Sequence, residues 1–164
     1  QFASCLTLVA DASLLEPELQ RFEALYRSAF RTRMLAALGL KPASEDGDLA
    51  LLKSLFAWMN ETRASWPQVF FDWFGGSASE TRVADSLLAK AYASPGFEAV
   101  RRLLMQQPTD RPERLAHAYF RSPSPVDLVI ETVEALWEPI AQSDDWSRLN
   151  RHMAWIENAR EAMA

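Results

Sequence analysis

The pattern of apolar and polar positions along the chain is helical almost throughout. From Pro17, the residues Leu19, Phe22, Tyr26, Phe30, Met34 and Leu38 recur at spacings of three or four. That spacing lays one continuous apolar stripe along a helix. Pro17 suits a first turn, where its missing N–H would be unpaired anyway. Gly39 offers a left-handed stop and Pro42 forbids continuation. The preceding segment, Phe2 to Leu15, reads as a short helix or an arm, with residues 1–16 as its outer limits.

After a polar loop over Lys41 to Gly47, Asp46 or Asp48 can cap a second helix. Its buried face is expected to hold Leu49, Leu52, Leu55, Phe56 and Met59. Ser65-Trp66-Pro67 opens a short helix carrying Val69, Phe70, Trp73 and Phe74, which Gly75-Gly76 closes. Arg82 to Tyr92 predicts a further helix with Val83, Leu87, Leu88 and Ala91 inward. Phe97, Val100, Leu103 and Leu104 mark another, ended near Pro108, and Arg111 to Phe120 gives a weaker one. Ser124-Pro125-Val126-Asp127 combines a cap residue, a first-turn proline and an acid facing the helix dipole. It predicts a helix whose stripe is Val126, Val129, Ile130, Val133, Trp137 and Ile140, bent or ended at Pro139. Ser143-Asp144-Asp145 should cap the last helix, with Trp146, Leu149, Met153, Ile156 and Met163 inward.

The fold class that follows is all-α, an irregular bundle of seven or eight amphipathic helices with short loops. No repeat or strand pattern is visible. A chain of 164 residues fits one domain over 1–164. At that length roughly 70% of the unfolded surface can be buried, so neither metal nor disulfide is required. Few glycines, sparse β-branched residues and abundant Ala and Leu agree with helix.

Charge and motifs narrow the functions. The net charge is −5 with no basic stripe, which argues against binding a nucleic-acid backbone. No apolar run approaches the roughly 18 residues of a membrane span, so no membrane partner is expected. The single cysteine, Cys5, cannot form an internal disulfide and fits a cytoplasmic setting. His117 and His152 lie far apart and lack neighbours at metal-ligand spacing. Acid pairs occur at Glu45-Asp46, Asp144-Asp145 and Glu131 with Glu134; the last two residues share a helix face and could make a carboxylate site, although a solvated face explains them better. Gly75-Gly76 follows a helix and precedes no Lys-Ser/Thr, so it reads as a turn and not a phosphate loop. No catalytic, cofactor-binding or metal-binding residue emerges.

Six tryptophans are many for this length, and Trp58, Trp66 and Trp73 sit beside Phe70, Phe71 and Phe74. Most must be core, but such a set can also dock a partner. Arginine outnumbers lysine and suits packed interfaces. The candidate docking surface is therefore Trp66, Phe70, Trp73 and Phe74 together with Arg27 and Arg31.

Three blocks carry a family resemblance. Arg33-Met34-Leu35-Ala36-Ala37-Leu38-Gly39-Leu40 is similar to an "RMRxKLGL" helix end. Asp48 to Met59, followed by Ser65-Trp66 and Phe70, resembles a "DxxLLxxLLxxM…ADYTxxFR" block. Ser124 to Ile130, followed by Asp144-Asp145-Trp146 and Leu149, resembles "NPxxILRNxLAxxAI…GDYSxLxxLL". In order and spacing these resemble the C-terminal helical region of the selenoprotein O family, known in bacteria as the YdiU family. The family's Arg-Asn pair is replaced near Glu131-Thr132, and its C-terminal Cys or selenocysteine has no counterpart. The resemblance implies a protein adenylyltransferase on a kinase-like fold, using ATP and Mg²⁺ to move AMP onto protein hydroxyls. Its catalytic residues lie upstream of the matched region, so none is carried over. The start at Gln1 also suggests a piece of a longer polypeptide. The expectation is a non-catalytic C-terminal scaffold, partnered by the upstream kinase-like domain and by protein substrates. The alternative is a stand-alone helical protein-interaction module.

Overall fold

The structure is a computed structural model that describes residues 5–164. Residues 1–4 of the expected arm lie outside the described residues. Eight α-helices account for most of the described chain: α1 (Ala12–Ala37), α2 (Glu45–Thr62), α3 (Trp66–Asp72), α4 (Glu80–Val83), α5 (Ala89–Tyr92), α6 (Glu98–Gln106), α7 (Ile130–Ser143) and α8 (Ser147–Met163). Short 3₁₀ turns occupy Gly76–Ser79, Pro95–Phe97, Pro112–Ala116 and Ala118–Arg121. Among the described residues there is no strand, only an isolated bridge between Leu40 and Thr109. The fold is all-α. The chain divides into two compact units, Gln1–Met34 and Leu35–Ala164.

In the first unit, α1 begins five residues before Pro17 and runs through it. Of the whole helix only Leu35, which belongs to the second unit, is buried.

The second unit is built around two aromatic layers. In one, Trp58 of α2 stacks on Tyr92 at 5.7 Å and meets Phe97 edge-on at 4.7 Å. Trp73 closes this layer against Tyr92 at 5.7 Å and Phe97 at 5.3 Å. Here α2 packs on α6. The other layer joins Phe71, Phe74, Tyr119 and Phe120 to Ala159 and Ala162 of α8. Burial of α2 is rotated from expectation: Leu51 and Trp58 are buried with Leu52, Leu55 and Met59, while Leu49 and Phe56 are only half-buried. The wide Trp58 ring, facing Tyr92 and Phe97, draws that side inward.

A backbone clamp organises the unit. Gly75 donates to the Leu38 carbonyl at 2.7 Å, Lys41 to Pro108 at 2.9 Å, and Asp110 to Gly39 at 2.8 Å. Gly39 lies at φ +62°, and a Cβ there would stand 2.9 Å from Cε1 of Phe74. Both the left-handed backbone and this close approach require glycine.

Several local expectations are corrected. Ser44, and neither Asp46 nor Asp48, caps α2, its hydroxyl accepting from Gly47 at 3.2 Å. Asp48 is buried and accepts from Ala43 and Gln107 instead. The helix expected over Arg82 to Tyr92 is split into α4 and α5, and Leu87 in the break is 73% exposed. The segment Arg111 to Phe120 forms two 3₁₀ turns, because Arg111 adopts φ +47° and His117 is extended.

The Ser124-Pro125-Val126-Asp127 signal does not start a helix; α7 begins at Ile130. Val126 instead packs on the Phe71–Phe120 layer, with its N–H donating to the Tyr119 hydroxyl at 3.3 Å. Asp127, free of a capping duty, accepts from the Thr132 hydroxyl at 2.9 Å. Pro139 does not end α7, which continues to Ser143. On α8, Asp145 does receive the Ser147 N–H at 2.9 Å, which holds its carboxyl below the usual carboxylate range. The expected inner faces of α7 and α8 are largely outward. Val129, Ile130, Val133 and Trp137 are exposed, as are Trp146, Met153 and Met163.

Candidate functional site

A buried polar group in the second unit draws several elements together: Asp72, at the end of α3, with 3% of its surface exposed. Its carboxylate accepts from Gln68 one turn earlier at 2.8 Å and from the Tyr92 hydroxyl at 2.8 Å. Ser86, from the break after α4, donates to the same oxygen as Tyr92. Three elements therefore converge on one carboxylate. Beside it, the guanidinium of Arg82 donates to the carbonyls of Phe71 and Asp72 and lies over the rings of Phe71 and Phe120, at 4.8 and 5.2 Å from their centroids. Gln68 also reaches the Pro123 carbonyl at 3.1 Å and so ties the extended segment before α7 to α3.

Electrostatics follow from burial. Desolvation holds Arg82 below the usual guanidinium value, against the attraction of Asp72. Burial first, and then the neighbouring Asp72 charge, pushes the Tyr92 phenol far above its ordinary value. Burial also raises Tyr119, while its bond from Val126 and the nearby Arg82 oppose the shift.

A pH dependence follows. Folded Tyr92 keeps its proton to higher pH than the unfolded chain does. Its contribution to stability is complete below about pH 10, the ordinary phenol pKa, and is lost as pH rises above it. The slope for this one proton is about 1.4 kcal/mol per pH unit. Denaturant melts between neutral and alkaline pH should show the fall. Tyr92→Phe should flatten it, leaving the part that Tyr119 contributes.

A cavity of about 250 Å³ lies beside the network, lined by Asp72, Arg82, Asp85, Ser86, Phe120 and Arg121. The Asp72 carboxylate accepts from three internal donors and so binds elements together. The sequence did carry a hint, a lone acid within the run Phe70-Phe71-Asp72-Trp73-Phe74.

The expected docking surface falls in both units, with Arg27 and Arg31 in the first and the four aromatic residues in the second. Trp73 is fully buried and Phe74 is 2% exposed, so neither lies on a surface. Their rings are consumed by the two aromatic layers, Phe74 stacking on Phe120 at 4.8 Å. Trp66 is 47% exposed and packs one side on Phe56 at 4.8 Å, with Phe70 half-buried behind it. Arg27 pairs with Glu23 at 2.9 Å on α1, and Arg31 lies further along that helix.

Glu131 lines an open cleft of about 500 Å³ between α7 and α8, together with Arg148, Arg151, His152 and Trp155. Glu134 is exposed and does not line it. Arg148 is spent on the Ala135 carbonyl at 2.9 Å, and His152 Nε2 lies 3.1 Å from the Asp127 carbonyl. His117 accepts from the Tyr119 N–H through Nδ1 and so caps a 3₁₀ turn. Among the described residues, no group of three or more His, Cys, Asp or Glu is placed to hold a metal ion. No helix of the described residues is long and apolar enough to cross a membrane.

The fold and this network define an all-helical protein whose second unit is tied together by a buried carboxylate between aromatic layers. The family model for protein adenylyltransferase SelO matches residues 1–157, and the chain belongs to that family. No curated protein and no solved structure matches it.

Proposed function

We propose that this chain is the non-catalytic, C-terminal helical scaffold of a SelO-family protein whose intact form transfers AMP from ATP to protein hydroxyls. The family match over residues 1–157 carries this reading. The side-chain chemistry supports it. The carboxylate of Asp72, buried between aromatic layers, is spent on three internal donors, and the acids of α7 face solvent. In this reading, ATP and Mg²⁺ are held by a kinase-like domain upstream in a cytoplasmic protein. The outward apolar residues of α7 and α8, Ile130, Val133, Trp137 and Met153, would pack against that domain.

The test is incubation of the 164-residue chain with Mg²⁺ and ATP labelled at the α-phosphate. The expected result is no labelled protein and no Mg-ATP-dependent rise in Tm. Transfer of label by this chain, or stabilisation by Mg-ATP, would overturn the reading.

A further inference from the structure

The α1 stripe is open to solvent. Leu19, Phe22, Leu25 and Tyr26 are 47 to 63% exposed, and Leu14 is 68% exposed. The aromatic rings form a ladder along the helix, Phe22 to Tyr26 at 6.0 Å and Tyr26 to Phe30 at 6.1 Å. An exposed apolar row on a helix of 26 residues, about 39 Å long at ~1.5 Å per residue, is an interaction surface.

Charge says what covers it. Asp11, Glu16, Glu18 and Glu23 make the first half of this stretch acidic, with Arg21 the only base. Arg27, Arg31 and Arg33 make the second half basic, with no acid. A helix acidic at one end and basic at the other is complementary to itself when turned end for end. A twofold axis generates that arrangement, because it apposes the same patch in reverse direction. An anionic membrane surface or nucleic acid would be repelled by the acidic half.

We propose that α1 pairs antiparallel with α1 of a second copy of this chain, with the register centred on Leu25. Phe22 and Tyr26 of the two copies form the apolar seam. Glu23 of each copy then lies across from Arg27 of the other. Within one copy these two already pair at 2.9 Å with both side chains more than half exposed, so pairing builds a four-charge ring. The apolar surface offered by Leu14, Leu19, Phe22, Leu25 and Tyr26 is on the order of 500 Å² per copy, below the roughly 800 Å² of a standard interface. The dimer is therefore weak and concentration-dependent.

Sedimentation equilibrium of the full 164-residue chain tests this. The expected result is a reversible rise from 18.6 kDa towards twice that mass as concentration increases. Phe22→Glu with Tyr26→Glu should abolish the rise while the far-ultraviolet spectrum stays helical. Glu23→Arg alone and Arg27→Glu alone should each weaken self-association about tenfold, since every charge contact occurs twice. An equimolar mixture of those two variants should restore it, because one helix then carries two bases at these positions and its partner two acids. A monomer at every concentration overturns the proposal. So does a dimer that the α1 variants leave unchanged.

Discussion

Replacing Trp73 by alanine is expected to destabilise the second unit by ~3–5 kcal/mol, the range for a fully buried large aromatic. The indole has no exposed surface and touches Tyr92 and Phe97, while the Arg101 guanidinium lies 5.8 Å from its centroid. Its removal opens a cavity that those rings cannot close, since Trp58 holds both of them from the other side. For a chain of this size the corresponding fall in Tm is on the order of 10 °C. Thermal melts followed by near-ultraviolet dichroism would read it. Trp73→Phe should cost far less, about 1 kcal/mol, because it keeps a ring and removes an indole N–H that is buried without a hydrogen-bond partner. A docking residue would behave differently: alanine would leave the melt unchanged and weaken only association.

Asp72→Ala should be comparably severe, about 3–5 kcal/mol. The substitution strips the acceptor from Gln68, Ser86 and Tyr92 at once and leaves the half-buried Arg82 without its neighbouring charge. Asp72→Asn should be milder, because its amide oxygen still accepts from Tyr92 or Ser86, but it offers one acceptor where the carboxylate has two. Urea denaturation at neutral pH would rank the three proteins. The Tyr92 phenol supplies an independent reading of the same network. Without the Asp72 charge, the upward push on its ionisation should shrink, and the alkaline loss of stability traced to Tyr92 should shrink with it in denaturant melts.

The fold class was legible because helical periodicity survives in almost every segment, and because Gly39 follows the end of α1 as a left-handed residue; Gly75-Gly76 are left-handed too, although α3 ends earlier, at Asp72. What periodicity could not show was which face of each helix is covered. The α7 stripe of Val129, Ile130, Val133 and Trp137 has a clear helical period yet stays outward, because only Leu136 of that helix is buried. Periodicity also could not choose between two uses of one segment. Ser124 to Asp127 has the composition of a helix start, but the Tyr119 hydroxyl and the Phe71–Phe120 layer draw it into extended backbone. Long-range partners decided that contest. The same holds for Asp72 and Arg82, whose pairing across α3 and α4 leaves no mark at any fixed sequence spacing. The aromatic density around Trp66 to Phe74 is visible in the sequence, and its split between core and surface needed three dimensions.

Residues 1–157 match the SelO family, and in this chain the carboxylate of Asp72 and the Nδ1 atom of His117 serve to hold helices and turns. Catalysis, in the proposed account, belongs to a part of the polypeptide that precedes this one. The most direct test is the mass of the endogenous protein, by immunoblot with an antibody raised against this chain. The account expects a band much larger than 18.6 kDa, carrying the transferase domain in the same polypeptide. A single band at 18.6 kDa would contradict it, and the chain would then act without a transferase core.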